Sequence, residues 1–322
     1  MKVKVLAAAF AALLCAVPAS AQQDYPNRPI TMIVPFPAGG GVDVIGRIVA
    51  EKLAAALGQP VVIDNRGGAA GVIGTRIAKA AAPDGYTLVM ATSGSIAINP
   101  TLYVNPGYEP RKDLAPIGLI SSTPIVLMAH PSAPESTLAE VIAAAKKNPG
   151  TLNIGTPPPG TSANLAAELF KSMANIDYTI VTYRGTGPLT TDVLGGHVKF
   201  ALNVLAPAMS HLKAGTLKAI AVLGTKRSSL LPDVPTTAEA GLPGFEAGLN
   251  YGLLAPAGTP KAIIDKLNVV LRAGIDTPEV RARIAADGGD PMPSSPDEYA
   301  ADIEKEDQKW GTLIRKLNLK VE

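Results

Sequence analysis

Cysteine, aromatic residues and an excess of charge of one sign are all scarce in this sequence. The one cysteine is Cys15, aromatic residues make up 4% and charged residues 17% of the 322 positions, and the formal net charge is +2. Without a second cysteine the chain forms no internal disulfide. Without a basic stripe it lacks the electrostatic footprint of a nucleic-acid-binding protein. The 47% of hydrophobic residues indicate a folded chain with room for one large or two ordinary domains.

Motifs of the common enzyme classes are missing as well. The three histidines, His130, His197 and His211, do not stand in an HExxH or HxxxH pattern, so no helix carries a zinc-binding pair. The sequence has no GxSxG nucleophile elbow and no GxxxxGK[ST] phosphate loop. Sequence spacing alone does not exclude a catalytic pair of carboxylates, because the fold could bring any two of them together. We therefore expect no enzymatic activity, no cofactor and no bound metal.

The first 21 residues have the layout of a secretory signal peptide. Two lysines precede an apolar stretch at 5–17, which is followed by small residues up to Ala21. The stretch is too short to span a bilayer. Cleavage after Ala21 would leave an exported chain that begins at Gln22 and has no cysteine, and we expect it in the periplasm. An uncleaved anchor and a lipoprotein attached through Cys15 are the alternatives, and the large residue before Cys15 disfavours the second.

The rest of the chain alternates between short apolar runs and segments with helical spacing, in two sets. The first set predicts strands at 30–35, 61–63 and 86–91 and helices at 43–57 and 73–81. The second set predicts strands at 125–128, 152–155, 178–183, 198–203, 218–223 and 251–254, helices at 137–147, 163–173 and 189–194, and further helices through Trp310. Strands separated by single helices imply parallel βαβ units. The pattern predicts an α/β fold of two lobes, each a mainly parallel sheet flanked by helices.

Loops rich in glycine or hydroxyl groups follow four of these strands. They are 35–43 (PFPAGGGVD), 92–95 (TSGS), 155–162 (GTPPPGTS) and 183–188 (YRGTGP). Glycine lets backbone N–H groups approach a ligand closely, and a helix N-terminus favours a carboxylate. Each loop alone is also ordinary strand-to-helix turn chemistry. Four of them at strand carboxyl ends, on two lobes, indicate an anion-binding cleft between the lobes.

Two charged side chains in these loops have two interpretations each. Asp43 either caps the helix that follows, accepting from N–H groups two or three residues further on, or selects a donor group on the ligand. Arg184 either pairs with a carboxylate or points to solvent, and we favour a peripheral role because the backbone donors make it unnecessary. Phe36, Tyr183 and Tyr251 are the aromatic candidates for the cleft.

Ordered sequence blocks extend along nearly the whole chain after the leader. They are 25–30 (YPNRPI), 34–43 (VPFPAGGGVD), 64–74 (DNRGGAAGVIG), 83–88 (PDGYTL), 183–185 (YRG), 194–196 (LGG), 231–236 (LPDVPT), 239–244 (EAGLPG) and 255–260 (APAGTP). In this order they resemble the Bug family, the periplasmic binding proteins of tripartite tricarboxylate transporters. The resemblance implies a two-lobed Venus-flytrap protein without enzymatic activity, which captures a small carboxylate and presents it to a membrane permease.

The resemblance also implies a domain division. Lobe one is expected at 22–123 and 251–322, lobe two at 124–250, and hinge crossings near 121–124 and 248–252. We expect a monomer that contacts inner-membrane permease subunits transiently and binds no nucleic acid. The ligand is a di- or tricarboxylate, an amino acid or an aromatic acid. A binding subunit of another importer or of a sensor kinase, and more remotely a secreted hydrolase, are the alternative functions.

In the family, main-chain groups and hydroxyls of two glycine-rich loops hold the ligand carboxylate together with bridging waters. Together with the loop chemistry above, this predicts the following ligand-binding residues: Phe36, Pro37, Ala38, Gly39, Gly40, Gly41, Asp43, Ser93, Thr156, Thr161, Ser162, Asn164, Tyr183 and Arg184. Asn164 stands where many members have His, and the run Pro157–Pro159 replaces a Ser/Gly-rich loop. Both differences lie on the wall of lobe two and bear on the identity of the ligand.

Overall fold

A ten-stranded sheet runs through the residues that the computed structural model describes, 25–322. The strands are β1 (Ile30–Val34), β2 (Val61–Asn65), β3 (Thr87–Thr92), β4 (Leu114–Ala129), β5 (Asn153–Thr156), β6 (Thr179–Thr182), β7 (Phe200–Val204), β8 (Lys218–Val222), β9 (Gly248–Pro256) and β10 (Asp290–Pro291). The predicted signal peptide, 1–21, lies outside the described residues. Within 25–322 no helix is long and apolar enough to cross a membrane.

Helices cover both faces of this sheet. They are α1 (Gly41–Leu57), α2 (Val72–Lys79), α3 (Asn99–Leu102), α4 (Pro110–Asp113), α5 (Leu138–Lys147), α6 (Ser162–Ala174), α7 (Thr186–Leu194), α8 (Met209–Lys213), α9 (Lys261–Ile275), α10 (Pro278–Ala286) and α11 (Pro296–Lys316). A π-helical turn at Gly94–Ile98 joins β3 to α3. Each strand and helix predicted individually from the sequence has a counterpart here, with ends that differ by at most three residues except at 125–128, which forms the end of the much longer β4.

The long strand β4 passes from one half of the molecule to the other. The sheet order is β2-β1-β3-β9-β4-β7-β5-β6, and β8 and β10 also pair with β4. Residues 114–124 of β4 pair with β9, whereas 125–129 pair with β7 and β8. The exchange of partners falls between Pro124 and Ile125, beside the start of β9. Two lobes therefore share one strand, and hinge motion at this crossing stays a prediction.

The direction of the strands divides along the same line. β1 pairs in parallel with β2 and β3, and β5 pairs in parallel with β6 and β7, as single-helix crossovers require. The crossing strands β4 and β9 pair antiparallel with all of their neighbours in the sheet order. The expectation of a mainly parallel sheet in each lobe therefore holds for the outer strands and is corrected at the centre, where the chain passes between lobes.

One hydrophobic cluster extends across the predicted boundary between the lobes. Ile98, at the end of the π-helical turn, and Trp310, on α11, fall within the predicted lobe one and belong to the same buried cluster as Phe170 of α6 in the predicted lobe two. The two lobes therefore pack against each other here. The domain division, with lobe one at 22–123 and 251–322, stays a prediction.

Candidate functional site

The loop between β1 and α1 brings the N-terminus of α1 to the surface. Gly40 is the N-cap of the 17-residue helix α1 and supplies no side chain to its first N–H groups. Residues Pro37–Gly41, which include Ala38, are exposed, and the half-buried ring of Phe36 lies beside Gly71. Gly39 has a φ of 81°, a conformation that favours glycine. This end of α1 is therefore open to an anion.

Asp43 holds this loop in place from inside. Its Oδ2 accepts hydrogen bonds from the Gly39 N–H and from Arg47 Nε, both at 2.9 Å, and its Oδ1 accepts from Asn65 Nδ2 at 2.9 Å. Asn65 also donates to the Phe36 carbonyl. Burial by itself raises the pKa of Asp43, but the bonds from Arg47, Gly39 and Asn65 outweigh burial and lower it. Asp43 supports the loop through an N–H that precedes the helix, not through N–H groups two or three residues further on.

Ser93 ties the end of β3 to the crossing strand. The residue is 1% exposed, and its Oγ accepts the N–H of Asn250 on β9 at 3.0 Å. Next to it, Thr92 and Ser95 exchange hydrogen bonds between their backbone and hydroxyl groups. Ser93 is thus buried between the end of β3 and β9, and its oxygen already accepts one bond.

On lobe two, three predicted side chains bond within their own loop. Thr156 Oγ1 donates to the Pro157 carbonyl at 3.0 Å and accepts from Asn164 Nδ2 at 3.0 Å. Thr161 Oγ1 donates to the Pro158 carbonyl and, as the N-cap of α6, accepts the Asn164 N–H. These bonds fix the shape of the proline-rich loop. They give Thr156, Thr161 and Asn164 a role in building the loop.

Ser162 differs from these neighbours. It is the first residue of the 13-residue helix α6 and is 1% exposed. Its Oγ has no hydrogen-bond partner within the described part of the chain. Leaving a buried hydroxyl unpaired costs about 1–3 kcal/mol. The Ser162 hydroxyl is thus a buried polar group that the described residues leave unpaired, and its contact with a ligand stays a prediction.

Two glycines bring the loops of the two lobes into contact. A Cβ built on Gly94 of lobe one would lie 2.7 Å from the carbonyl oxygen of Gly160 on lobe two. A Cβ on Gly160, whose φ is 87°, would lie 2.5 Å from Asn99 Oδ1 and 3.1 Å from Ala70 Cβ. The loops of the two predicted lobes thus touch at Gly94 and Gly160, while Pro37–Gly41 are exposed.

Tyr183 and Arg184 lie on the loop that leads into α7. Tyr183 donates to Asp192 Oδ2 at 2.9 Å, and burial together with this neighbour raises its pKa to about 12. Arg184 is exposed and forms no ion pair within residues 25–322. Gly185, the N-cap of α7, supplies no side chain to the helix. Neither Tyr183 nor Arg184 forms a hydrogen bond with the Ser162 hydroxyl within residues 25–322. The peripheral role of Arg184 stays a prediction.

Two polar groups near the crossing, Asn203 and Asp287, were not predicted from the sequence, and Tyr251 was named there only as an aromatic candidate for the cleft. Asn203 ends the apolar run at 198–203, and applying the strand-end rule to that run as well would have found it. The Tyr251 hydroxyl lies 3.2 Å from the position of a Cβ on Gly41, and Asp287 is half buried near Tyr251. Within 25–322 no three His, Cys, Asp or Glu side chains form a metal-binding group.

Comparison with known proteins gives a consistent result. The family model described as the tripartite tricarboxylate transporter family receptor matches residues 45–319. Protein BugT of Bordetella pertussis is 37% identical over 307 residues, which cover 95% of this chain and 94% of that protein.

Two solved structures are similar over nearly their whole length. R. palustris Rpa4515 with adipate has a TM-score of 0.85 and 32% identity, covering 92% of this chain and 99% of that one. MatC (Rpa3494) from Rhodopseudomonas palustris with bound malate has a TM-score of 0.81 and 32% identity, covering 90% and 100%. Sequence and fold therefore point to the same group of proteins.

Proposed function

The chain belongs to the family of tripartite tricarboxylate transporter receptors, periplasmic solute-binding proteins that are not enzymes, and on this premise we propose that it captures a small carboxylate by closure of its two lobes. The captured solute is then delivered to the membrane permease subunits of a tripartite transporter. The protein acts as a monomer, exported by a signal peptide that is cleaved after Ala21.

The observation that carries this proposal is the arrangement of donors at the closed cleft. The N-termini of α1 and α6 both follow strand carboxyl ends, and the buried Ser162 hydroxyl at the second of them has no partner within the described residues. Helix N-termini hold a carboxylate through backbone N–H groups, so no cationic side chain is required. Adipate in Rpa4515 and malate in MatC support a carboxylate as the class of ligand.

Closure follows from where the ligand makes its contacts. A ligand shifts the balance between open and closed forms only through interactions that differ between them. A carboxylate held by Gly40 and Gly41 on lobe one and by Ser162 on lobe two makes all of its contacts only when the lobes approach. The contact between Gly94 and Gly160 forms at the same time, and the crossing at Pro124 provides the hinge.

Binding to the mature chain tests this function directly. We would record thermal unfolding of the chain from Gln22 with mono-, di- and tricarboxylates, amino acids and aromatic acids. A ligand at 100 times its Kd stabilises the folded state by about 2.7 kcal/mol, enough to raise the Tm by several degrees. Mass spectrometry then shows whether the ligand is recovered intact. Recovery of a converted ligand would contradict capture and favour an enzyme.

Two controls separate capture from unspecific stabilisation. Ser162→Ala should bind the same ligand more weakly, because the buried hydroxyl no longer meets it. Thr151→Ala, in the exposed turn before β5, should bind like the natural chain. Small-angle scattering at a saturating ligand concentration should show a smaller radius of gyration. The absence of compaction would contradict closure.

A further inference from the structure

One buried amide beside the crossing strands lacks a partner on the described chain. Asn203, on β7, is 1% exposed, and its Oδ1 accepts the N–H of Val204 at 2.9 Å. Its Nδ2 forms no hydrogen bond within residues 25–322. The Val204 N–H determines how the amide is turned, because only the oxygen accepts a hydrogen bond from it. The group left without a partner is therefore a donor.

The strand register places this donor at the cleft. Asn203 lies opposite Val126, which follows directly after the residue where β4 changes partners. Gly155 of β5 lies opposite Ala201 in the parallel pair with β7, so Asn203 is level with Pro157, where the loop into α6 begins. The amide thus lies near the carboxyl end of β7, at the edge of the lobe-two sheet where the loop into α6 begins.

A helix N-terminus lies at the same edge of lobe two as this amide. Asn203 shares a face of the sheet with Ala201, because residues two apart on a strand point the same way, and Ala201 packs in one cluster with Leu189 of α7. α7 has nine residues and begins at this edge with an N-cap, Gly185, that offers no side chain to its first N–H groups. The nearby Asp192 carboxylate already accepts from Tyr183. Such surroundings are complementary to an oxygen acceptor.

We propose that Asn203 determines the ligand class: its Nδ2 donates to an oxygen of a second carboxylate or a hydroxyl group, so the protein prefers dicarboxylates and hydroxydicarboxylates to amino acids that carry an ammonium in place of that group. This inference rests on the proposed function and extends it. One carboxylate of the ligand occupies the N-termini of α1 and α6, and its second polar group meets the amide. An ammonium in place of the second carboxylate presents only donors to a donor, and the buried amide stays unpaired.

Asp287 would favour a ligand with an ammonium group over a dicarboxylate. It follows α10 in lobe one, is half buried, and lies near the Tyr251 hydroxyl, while the next residue, Gly288, packs against Leu205 of lobe two. A carboxylate in this position attracts an ammonium group. Burial raises the pKa of Asp287, which weakens that attraction, although nearby Arg283 opposes the effect. The experiment therefore includes a variant at this position.

The test uses pairs of ligands that differ only in the group that Asn203 meets. Titration calorimetry on the mature chain would compare succinate with 4-aminobutyrate, which share four carbons, and adipate with 6-aminohexanoate, which share six. The natural chain should bind the dicarboxylate of the preferred length at least about tenfold more tightly than its amino counterpart, because Asn203 Nδ2 donates to the second carboxylate of the former and is left without a partner by the ammonium of the latter.

Variants of Asn203 test whether the amide is responsible. Asn203→Asp keeps the shape and places an anion against the ligand, so dicarboxylate affinity should fall about 100-fold or more while affinity for the amino counterpart falls less. Asn203→Leu, which removes the donor without adding charge, should cost about tenfold. Asn153→Asp makes the same charge change at the exposed start of β5 and should have no effect. Thermal unfolding of each variant confirms that it folds.

The outcomes separate this inference from the proposed function. Binding of no carboxylate by the natural chain contradicts both. Dicarboxylate binding that Asn203→Asp and Asn203→Leu leave unchanged contradicts the inference alone. Tighter binding of the amino counterpart, abolished by Asp287→Asn, overturns the inference in favour of an amino acid ligand, whereas a dicarboxylate preference that Asp287→Asn retains supports it.

Discussion

Replacement of Gly94 by alanine should weaken ligand binding while leaving the open protein intact. Gly94 does not have a positive φ, so alanine fits its backbone conformation. The added Cβ would lie 2.7 Å from the carbonyl oxygen of Gly160, across the cleft, and 3.4 Å from Thr92 Oγ1 within its own lobe. The first distance is far inside van der Waals contact and the second is ordinary. The substitution therefore acts mainly on the closed form.

The size of the effect follows from that contact. Because the obstructing atom belongs to the backbone, the lobes must separate by roughly 0.7 Å to restore ordinary contact, and overpacking of this kind costs about 1–3 kcal/mol. Because this cost applies only to the closed form, ligand affinity falls about 5- to 150-fold. Gly311→Ala provides the matched control, since its Cβ would meet only the flexible end of Arg315 on α11.

Calorimetry and thermal unfolding together test the reasoning. The expected result for Gly94→Ala is weaker ligand binding with the Tm of the unliganded protein close to that of the natural chain. Gly311→Ala should keep full affinity. Undiminished binding by Gly94→Ala would show that the contact with Gly160 is not part of the ligand-bound form, and the closure argument would fail.

Three further predictions concern the loop, the core and the rim of the cleft. Asp43→Asn should lower the free energy of unfolding by about 1–3 kcal/mol at neutral pH. Because folding lowers the pKa of Asp43, this loss of stability is complete above the ordinary pKa of 3.8 and disappears as the pH falls through the folded-state pKa. Urea unfolding in strong acid should therefore give the same stability for both chains. Phe170→Ala removes a fully buried ring stacked on Phe245 at 5.4 Å between centroids and should cost about 3–5 kcal/mol in urea unfolding, whereas a loss below 1 kcal/mol (roughly the effect of a surface change) would contradict a single packed core. Arg184→Ala should change the Kd less than about threefold by calorimetry, and a larger loss would move this side chain from the rim into the site.

Local patterns were sufficient for the elements that the chain forms with its near neighbours. The apolar run at 30–34, the glycines after it and the helical spacing up to Leu57 predict β1 and α1, because strand, turn and helix each have a signature of a few residues. The first half of β4 gave no such signal. Pro116 and Pro124 interrupt it, and it is a strand because β9, more than 120 residues later in the chain, pairs with it.

The candidate site also has features that local patterns predict and features that only the fold decides. The sequence located the strand-end loops, since glycine and hydroxyl residues after an apolar run mark a turn into a helix wherever they occur. It left Asp43 with two interpretations, because the choice depends on Asn65 and on the Gly39 N–H, which the fold places around the carboxylate. It also named Thr156 and Asn164 as ligand contacts, which stays a prediction, and it gave no sign that the folded loop joins these two side chains to each other.

What the sequence by itself determined about this protein is its family, its α/β elements and the chemistry of its loops, all of which depend on residues close together in the chain. The tertiary structure alone decided which polar groups remain without a partner. Whether Ser162 and Asn203 are satisfied depends on every atom that surrounds them, and those atoms come from distant segments brought together by the crossing strands. The approach of Gly94 to Gly160 likewise exists only once the two lobes meet.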